Sequence, residues 1–172
     1  NNTNHKAGFN YEEAYIKLLD WDSEELIREL HYKSPIENRC ALASHMFKAG
    51  SITKDTLIIP SSTEILFIKL RDLAIIKTIS LPSFTDLHHV AVKDNMIYIA
   101  NTGAECIQLM DFNGNIIEEY PQAVNPTWKK YKNCTDLRFI ASTKPHEIHL
   151  NYVFFIDGEP WFTRFMQRDA VA

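Results

Sequence analysis

Short apolar segments alternate with polar turns along residues 88–120. The apolar or alternating segments are residues 90–92, 96–100, 106–110 and 115–120, and the turns between them are residues 93–95, 101–103 and 111–114. Each turn contains Asn, Asp or Gly, which favour the backbone conformations of tight turns. Four short strands within so short a stretch predict a four-stranded antiparallel meander.

The same pattern occurs once more, upstream in the chain. Residues 57–63 align with residues 97–103, a shift of 97 − 57 = 40. With a gap of one residue, residues 65–68 align with residues 106–109, and residues 75–77 then align with residues 116–118. A period of about 40 residues is typical of β-propeller blades. The sequence therefore predicts an all-β fold of β-propeller type, built from four-stranded antiparallel blades.

Two stretches near the start of the chain admit alternatives. Apolar residues within residues 11–30 could form a helical face, and residues 22–25 resemble a helix start; alternatively, the stretch could form two strands around a turn. We favour two strands, because residues 16–23 resemble residues 107–114, which belong to the repeat. Residues 41–48 could form a short helix or the inner strand of the following blade.

The last part of the chain restarts the pattern with two strands. Asp157-Gly158 separates the apolar residues 152–156 from residues 160–165, and Asp-Gly between two such runs indicates a β-hairpin. The predicted organisation is then a flexible lead-in, residues 1–10, and a single propeller-type domain, residues 11–172. We expect a partial blade at 11–35, blades at about 40–82 and 83–121, an insertion at 122–145 and a partial blade at 146–172.

These pieces amount to about three blades, whereas propellers have about four to eight. Open ends would leave unpaired strand edges, which folded proteins avoid. We therefore expect this domain to be part of a larger propeller, completed by the remaining part of the propeller or by a second chain.

The composition of the chain limits the classes of partner and the cellular compartment that we expect. The chain is 45% hydrophobic and 23% charged, with a net charge of -4, so we expect neither nucleic acid nor an anionic membrane as a partner. No apolar run approaches the roughly 20 residues that span a bilayer, and the polar start shows no signal peptide. The three cysteines are far apart and odd in number, which favours a reducing, cytoplasmic location.

Several segments resemble known propellers. Residues 85–90, 97–103 and 109–114 are similar to blades of NHL-type and lactonase-type six-bladed propellers, in which a blade opens with a His- or Pro-containing inner strand and closes with Asp-x-x-Gly. Residues 146–153 and 161–165 resemble the start of another such blade. The resemblance covers about residues 50–168, is closest to a set of bacterial β-propeller proteins, and implies a propeller fold. It implies no activity, because this fold hosts many functions, and the metal-binding acid of lactonase-type enzymes has no clear counterpart here.

Histidine is the polar residue type that clusters, and each cluster lies at the start of an innermost strand. Innermost strands surround the central channel of a propeller, so these side chains should converge. Imidazole is the commonest transition-metal ligand, which makes His88, His89 and His149 candidate ligands for a divalent metal, zinc or calcium. Adjacent strand residues point to opposite faces, so at most one of His88 and His89 faces the channel. Asp86 and Glu147 are candidates to support such a site.

The alternative is that these histidines bond to neighbouring blades or lie at the rim of the channel. The candidate ligand-binding residues are His88, His89, Asn101, His146, His149, Asn151 and Arg164. Asn101 could equally be part of a simple turn, and Arg164 part of a surface ion pair with Asp169. The leading functional hypothesis is a module that binds a small-molecule or protein ligand without chemistry of its own. The alternative hypothesis is a metal-dependent hydrolase or lyase with a histidine-lined site in the channel.

Overall fold

The computed structural model describes residues 11–41, 45–124 and 136–172, and the regular secondary structure of these residues is almost entirely β-strand. The strands are β1 (Ala14–Leu19), β2 (Leu26–Tyr32), β3 (Ser51–Thr53), β4 (Thr56–Pro60), β5 (Ile65–Lys69), β6 (Ile75–Ile79), β7 (Leu87–Lys93), β8 (Met96–Asn101), β9 (Cys106–Asp111), β10 (Ile116–Pro121), β11 (Leu150–Ile156), β12 (Glu159–Arg164) and β13 (Asp169–Val171). Single 3₁₀ turns lie at Ile36–Asn38 and Leu137–Phe139. The predicted flexible lead-in lies outside the described residues, as does part of the predicted insertion.

The strands form four antiparallel sheets in chain order. β1 and β2 form a hairpin, β3 to β6 and β7 to β10 form two four-stranded sheets, and β11 to β13 form a three-stranded sheet. The all-β, propeller-type fold with four-stranded antiparallel blades is therefore confirmed. Residues 11–30 form two strands rather than a helix, as favoured above.

Two-residue turns connect several of these strands where the sequence predicts them. Asp94 and Asn95 have φ angles of 50° and 60°, and Asp157 and Gly158 have φ angles of 50° and 88°. Positive φ at both central residues matches the turn twist to the strand twist, and Asn, Asp and Gly tolerate it best. The predicted Asp-Gly hairpin is confirmed.

Three apolar layers join the four sheets face to face. The first joins the β1–β2 hairpin to the β3–β6 sheet, the second joins that sheet to the β7–β10 sheet, and the third joins the latter to the β11–β13 sheet. The second layer contains the fully buried Phe84, Leu87 and Ile65. At about 25 cal/mol per Å² of buried apolar surface, such layers provide the main favourable contribution to stability.

The inner strands β3, β7 and β11 lie side by side at one edge of this stack. β7 contacts both β3 and β11. Ala49, just before β3, forms a parallel bridge with His89, and the Val90 N–H donates to the Ala49 carbonyl at 3.2 Å. Residues that start successive inner strands are thereby brought together.

Three sequence-based expectations need correction. Residues 45–48 form neither a helix nor a strand, and the inner strand of that blade is the short β3. The last sheet has three strands, not two, because residues 169–171 pair with β12.

The third correction concerns the alignment of the repeat. Pro60 pairs with Ile65 and Ala100 pairs with Ile107, so Ile65 corresponds to Ile107 and not to Cys106. The β8–β9 hairpin is one residue pair longer than the β4–β5 hairpin, and the alignment therefore needs a gap of two residues. A slip of one residue would have moved each side chain to the opposite face of the sheet.

No helix among the described residues is both long and apolar enough to cross a membrane.

Candidate functional site

The candidate site lies where the inner strands β7 and β11 begin. Asp86 directly precedes β7 and His149 directly precedes β11, so the two residues occupy the same position in successive sheets. Both have a left-handed backbone, with φ angles of 46° and 57°. For residues other than glycine this conformation costs about 1–3 kcal/mol, and such residues concentrate at functional sites.

A cavity of about 310 Å³ opens at this point. Its walls come from three sheets and from the segment 136–145 that precedes β11, which we call the connector. The cavity is lined by Lys48 from the segment before β3, Ser62 from the β4–β5 turn, Asp86 and His88 from the start of β7, and His149 directly before β11. The connector contributes Arg138, Ala141, Ser142, Thr143 and Lys144.

His88 links the β7–β10 sheet to the β11–β13 sheet. Its Nδ1 atom lies 2.7 Å from Oδ1 of Asn151, and its Nε2 atom lies 3.3 Å from Oδ1 of Asp86. Its ring meets the ring of His149 edge to face, with centroids 5.0 Å apart. Both ring nitrogens are therefore engaged by oxygen atoms, and the ring is held in one orientation at the cavity wall.

His146 and His149 form a second, connected pair. Their Nδ1 atoms lie 2.7 Å apart, and Nε2 of His146 lies 2.8 Å from Oγ1 of Thr143. Burial, together with the electrostatic effect of His88 and His146, lowers the pKa of His149 to about 4. His149 is thus neutral at pH 7, and one of the two Nδ1 atoms carries the shared proton. Among the described residues, Nε2 of His149 has no hydrogen-bond partner.

Asp86 is the negative charge of the site. Burial alone would raise its pKa, but the hydrogen bond with His88 and the charges of His88 and Lys48 outweigh burial and hold the pKa at about 2. The Asp86 carboxylate is therefore ionised at neutral pH inside the cavity wall.

Arg138 anchors the connector over the cavity. Its guanidinium donates to both carboxylate oxygens of Asp136, to Oδ1 of Asn38 at 3.3 Å and to Oγ of Ser80 at 3.0 Å. The Leu137 N–H also donates to the Pro82 carbonyl at 2.7 Å. The connector is thus tied to elements that are remote in sequence.

His89 lies in different surroundings from His88, as strand alternation predicts. It is 2% exposed, its ring stacks on Tyr152 at a centroid distance of 3.8 Å, and its Nδ1 atom accepts from the Val153 N–H at 3.0 Å. Its partners make it a packing element between β7 and β11. Within the described ranges, no three His, Cys, Asp or Glu side chains are arranged to hold a metal ion.

The other predicted ligand-binding residues are distributed unevenly. Asn101 is fully buried, and its amide bonds to Ser83, Thr85 and Gln108 inside the β7–β10 sheet. Arg164 forms an ion pair with Asp169, with Nε 2.8 Å from Oδ1. Asn151 contacts His88 and also lines a separate open depression together with Arg164. The structure thus brings His88, His146, His149 and Asn151 together, and leaves His89, Asn101 and Arg164 apart from them.

Sequence reasoning missed Lys48, Thr143 and two buried glutamates. Lys48 precedes His88 by 88 − 48 = 40 residues, so the repeat period could have located it. Glu64 and Glu105 are fully buried in the turns that precede β5 and β9. The sequence feature that could have identified them is a glutamate at the end of the corresponding turn in both repeats. Thr143 lies in the irregular connector, where no periodicity could indicate its contacts.

Comparison with known proteins supports the fold. No protein-family model matches the chain, and no curated protein matches it. Among solved structures, Myxococcus xanthus glutaminyl cyclase is 11% identical with a TM-score of 0.51, and the match covers 90% of this chain and 61% of that one. Staphylococcus aureus virginiamycin B lyase, solved with quinupristin, is 15% identical with a TM-score of 0.48, covering 70% and 35%. Kluyveromyces lactis Hsv2 is 10% identical with a TM-score of 0.45, covering 70% and 31%.

All three are β-propeller proteins. The chain spans less than two thirds of the length of each. At these identities the similarity concerns the fold alone, and the similarity to the cyclase places this chain among proteins with a β-propeller-type fold.

Proposed function

We propose that this chain is a ligand-binding β-propeller module, and that the cavity at Asp86, His88 and His149 is its binding site. The observation that carries the proposal is the cavity itself, because hydrogen bonds within the protein fix its polar side chains: His88 bonds to Asn151 of the next sheet, and His149 bonds to His146. Ligand sites are usually concave, largely pre-formed and equipped with a few convergent polar groups. Fixed side chains also reduce the entropy that binding would otherwise cost.

The module is proposed to function with further propeller structure beside it. Among the described residues, the β11–β13 sheet packs against another sheet on one face only, and Tyr152 in β11 and Phe165 and Met166 in the β12–β13 turn are 46%, 64% and 56% exposed. The corresponding faces of the two preceding sheets are covered by the next sheet. A further blade, from the remaining part of the propeller or from a second chain, would bury this face in the same way.

A metal-dependent hydrolase or lyase is the second candidate. Its support is the approach of His88 and His149, whose rings lie 5.0 Å apart beside the Asp86 carboxylate. The donor set fits a metal poorly, because both nitrogens of His88 and Nδ1 of His149 already have hydrogen-bond partners in the protein.

Obstructing the cavity tests the binding proposal. Ala141 lines the cavity and is exposed, so Ala141→Phe should fill part of it without disturbing the core. A thermal-shift screen first identifies small metabolites that raise the melting temperature of the parent protein. We expect these metabolites not to raise the melting temperature of Ala141→Phe. The matched control is Ile76→Phe, on the surface of β6 at 54% exposure, which should respond like the parent. Equal responses in both variants would place the ligand elsewhere.

Metal titration separates the two candidates. For a binding module without metal chemistry, we expect zinc and calcium to leave the melting temperature of chelator-treated protein unchanged. A stabilisation by zinc that disappears in His149→Ala and in His88→Ala, but persists in His89→Gln, would favour the metal-dependent enzyme instead. Neutral imidazole is required for ligation, so that stabilisation should also weaken at acidic pH.

A further inference from the structure

We infer that the cavity selects small anionic ligands, with a carboxylate or phosphate group held between Lys48 and Lys144. This inference rests on the proposed function, since it concerns the chemistry of the ligand that the same cavity binds. Lys48 belongs to the segment before β3 and Lys144 to the connector, so the two ammonium groups approach the cavity from different parts of the fold.

The cavity wall carries a surplus of positive charge. Its lining includes three basic side chains, Lys48, Arg138 and Lys144, and one carboxylate, Asp86. The whole chain has a net charge of -4, so the surplus is local and does not follow from the composition. Charges of one sign in a cleft with low-dielectric walls concentrate ligands of the opposite sign.

Two of these four groups already have close polar partners in the protein. Arg138 is paired with Asp136 through two hydrogen bonds, and Asp86 is hydrogen-bonded to His88. For the ammonium groups of Lys48 and Lys144, the described residues supply no hydrogen bond and no ion pair. Both charges nevertheless act at the site, because Lys48 lowers the pKa of Asp86 and Lys144 lowers the pKa of His149.

Hydrogen-bond donors near the two lysines suit an oxyanion. Ser62 and Ser142 lie in the same lining, and hydroxyl groups can donate hydrogen bonds to an oxyanion. Carboxylates and phosphates accept several hydrogen bonds at once, and bonds to charged partners are roughly twice as strong as neutral ones. A cationic ligand would meet the like charges of Lys48 and Lys144 in the same lining, which disfavours it.

Four probes of small size test the sign of the ligand charge. Succinate, succinamide and 1,4-diaminobutane share a four-carbon chain and differ in charge, and inorganic phosphate distinguishes a phosphate site from a carboxylate site. Binding is measured by isothermal titration calorimetry at low ionic strength, because salt screens such contacts. We expect succinate or phosphate to bind and the neutral and cationic probes to bind at least tenfold more weakly.

Lysine variants then locate the anion. Lys48→Met and Lys144→Met should each weaken binding of the anionic probe about tenfold, because each removes one charge-assisted contact. Lys54→Met, in the exposed β3–β4 turn, is the matched control and should bind like the parent. Melting curves of all three variants verify that each is folded.

The inference is overturned if neither anion binds, or if Lys54→Met weakens binding as much as the two cavity variants. The proposed function survives that result when an uncharged or cationic metabolite binds the parent and fails to bind Ala141→Phe. The proposed function is also overturned when every compound that stabilises the parent protein stabilises Ala141→Phe equally, or when no compound stabilises the parent. The two failures are therefore distinguishable.

Discussion

Replacing Glu64 with alanine is expected to lower the free energy of unfolding by about 3–5 kcal/mol. Glu64 is fully buried in the turn before β5. Its carboxyl group accepts hydrogen bonds from the hydroxyl of Tyr32 at 2.9 Å, from the hydroxyl of Ser34 and from the amide of Asn38 at 2.8 Å. Tyr32 is the last residue of β2, and Ser34 and Asn38 follow it, so Glu64 connects the β1–β2 hairpin to the β3–β6 sheet.

The size of the effect follows from what alanine leaves behind. Burial and the negative charge of Glu64 raise the pKa of Tyr32, so its hydroxyl remains a donor at any moderate pH. Without the carboxyl group, this hydroxyl and the buried Ser34 hydroxyl lose their acceptor in a place that water reaches poorly. An unsatisfied buried polar group costs about 1–3 kcal/mol, and more where the lost partner was charged.

Urea unfolding followed by tryptophan fluorescence measures this loss. Glu64→Gln keeps one acceptor oxygen and should cost less than Glu64→Ala. Glu159→Ala changes an exposed glutamate at the start of β12 and should stay within about 0.5 kcal/mol of the parent. If Glu64→Ala lowered the free energy of unfolding no more than Glu159→Ala, Glu64 would not be the residue that holds the β1–β2 hairpin in place.

The parts of this structure that could be predicted from sequence are those determined locally. Strand alternation and turn residues such as Asp157-Gly158 act over a few neighbouring positions, so the strands and hairpins follow from the pattern. The restart of the blade pattern at residues 146–153 then places His149 near the start of β7, because the innermost strands of successive blades converge. The 40-residue period, applied upstream of His88, would have included Lys48.

What could not be predicted depends on side chains meeting across sheets. The β8–β9 hairpin is longer by one residue pair, and no local rule distinguishes that from a single-residue gap. Arg138 reaches Asn38 and Ser80 only because the connector crosses to elements that are remote in sequence. The sequence offered Asn101 as a ligand-binding residue or a simple turn residue. In the structure its side-chain amide donates to the Ser83 carbonyl and to Oε1 of Gln108. Such contacts depend on tertiary distances that periodicity does not contain.

Stability is expected to fall steeply as the pH decreases from 6.5 to 4, mainly because of His89. Burial lowers the pKa of His89 in the folded state to about 4, and its value in the unfolded chain is about 6.5. Above pH 6.5 the imidazole is neutral in both states and contributes no pH dependence. Between these two values the unfolded chain binds a proton that the folded chain does not, so the free energy of unfolding decreases with decreasing pH.

The magnitude follows from about 1.4 kcal/mol per pKa unit, which gives a loss of about 3 kcal/mol from His89 alone. His149, whose folded pKa is also about 4, adds a smaller loss over the same range because it is partly exposed to solvent. Asp86 acts at lower pH: its pKa of about 2 in the folded state lies below its value of 3.8 in the unfolded chain. Its stabilising contribution is therefore present above pH 3.8 and is lost as the pH falls through 2.

Urea unfolding at pH 7.5, 6.5, 5.5 and 4.5 measures this dependence in the parent and in two variants. His89→Gln keeps an acceptor for the Val153 N–H but cannot be protonated, so it should be less stable than the parent at pH 7.5 and lose much less stability on acidification. His31→Gln changes an exposed histidine on β2 and should retain the slope of the parent. A parent protein whose stability stays constant from pH 7.5 to 4.5 would show that His89 is not held neutral between β7 and β11.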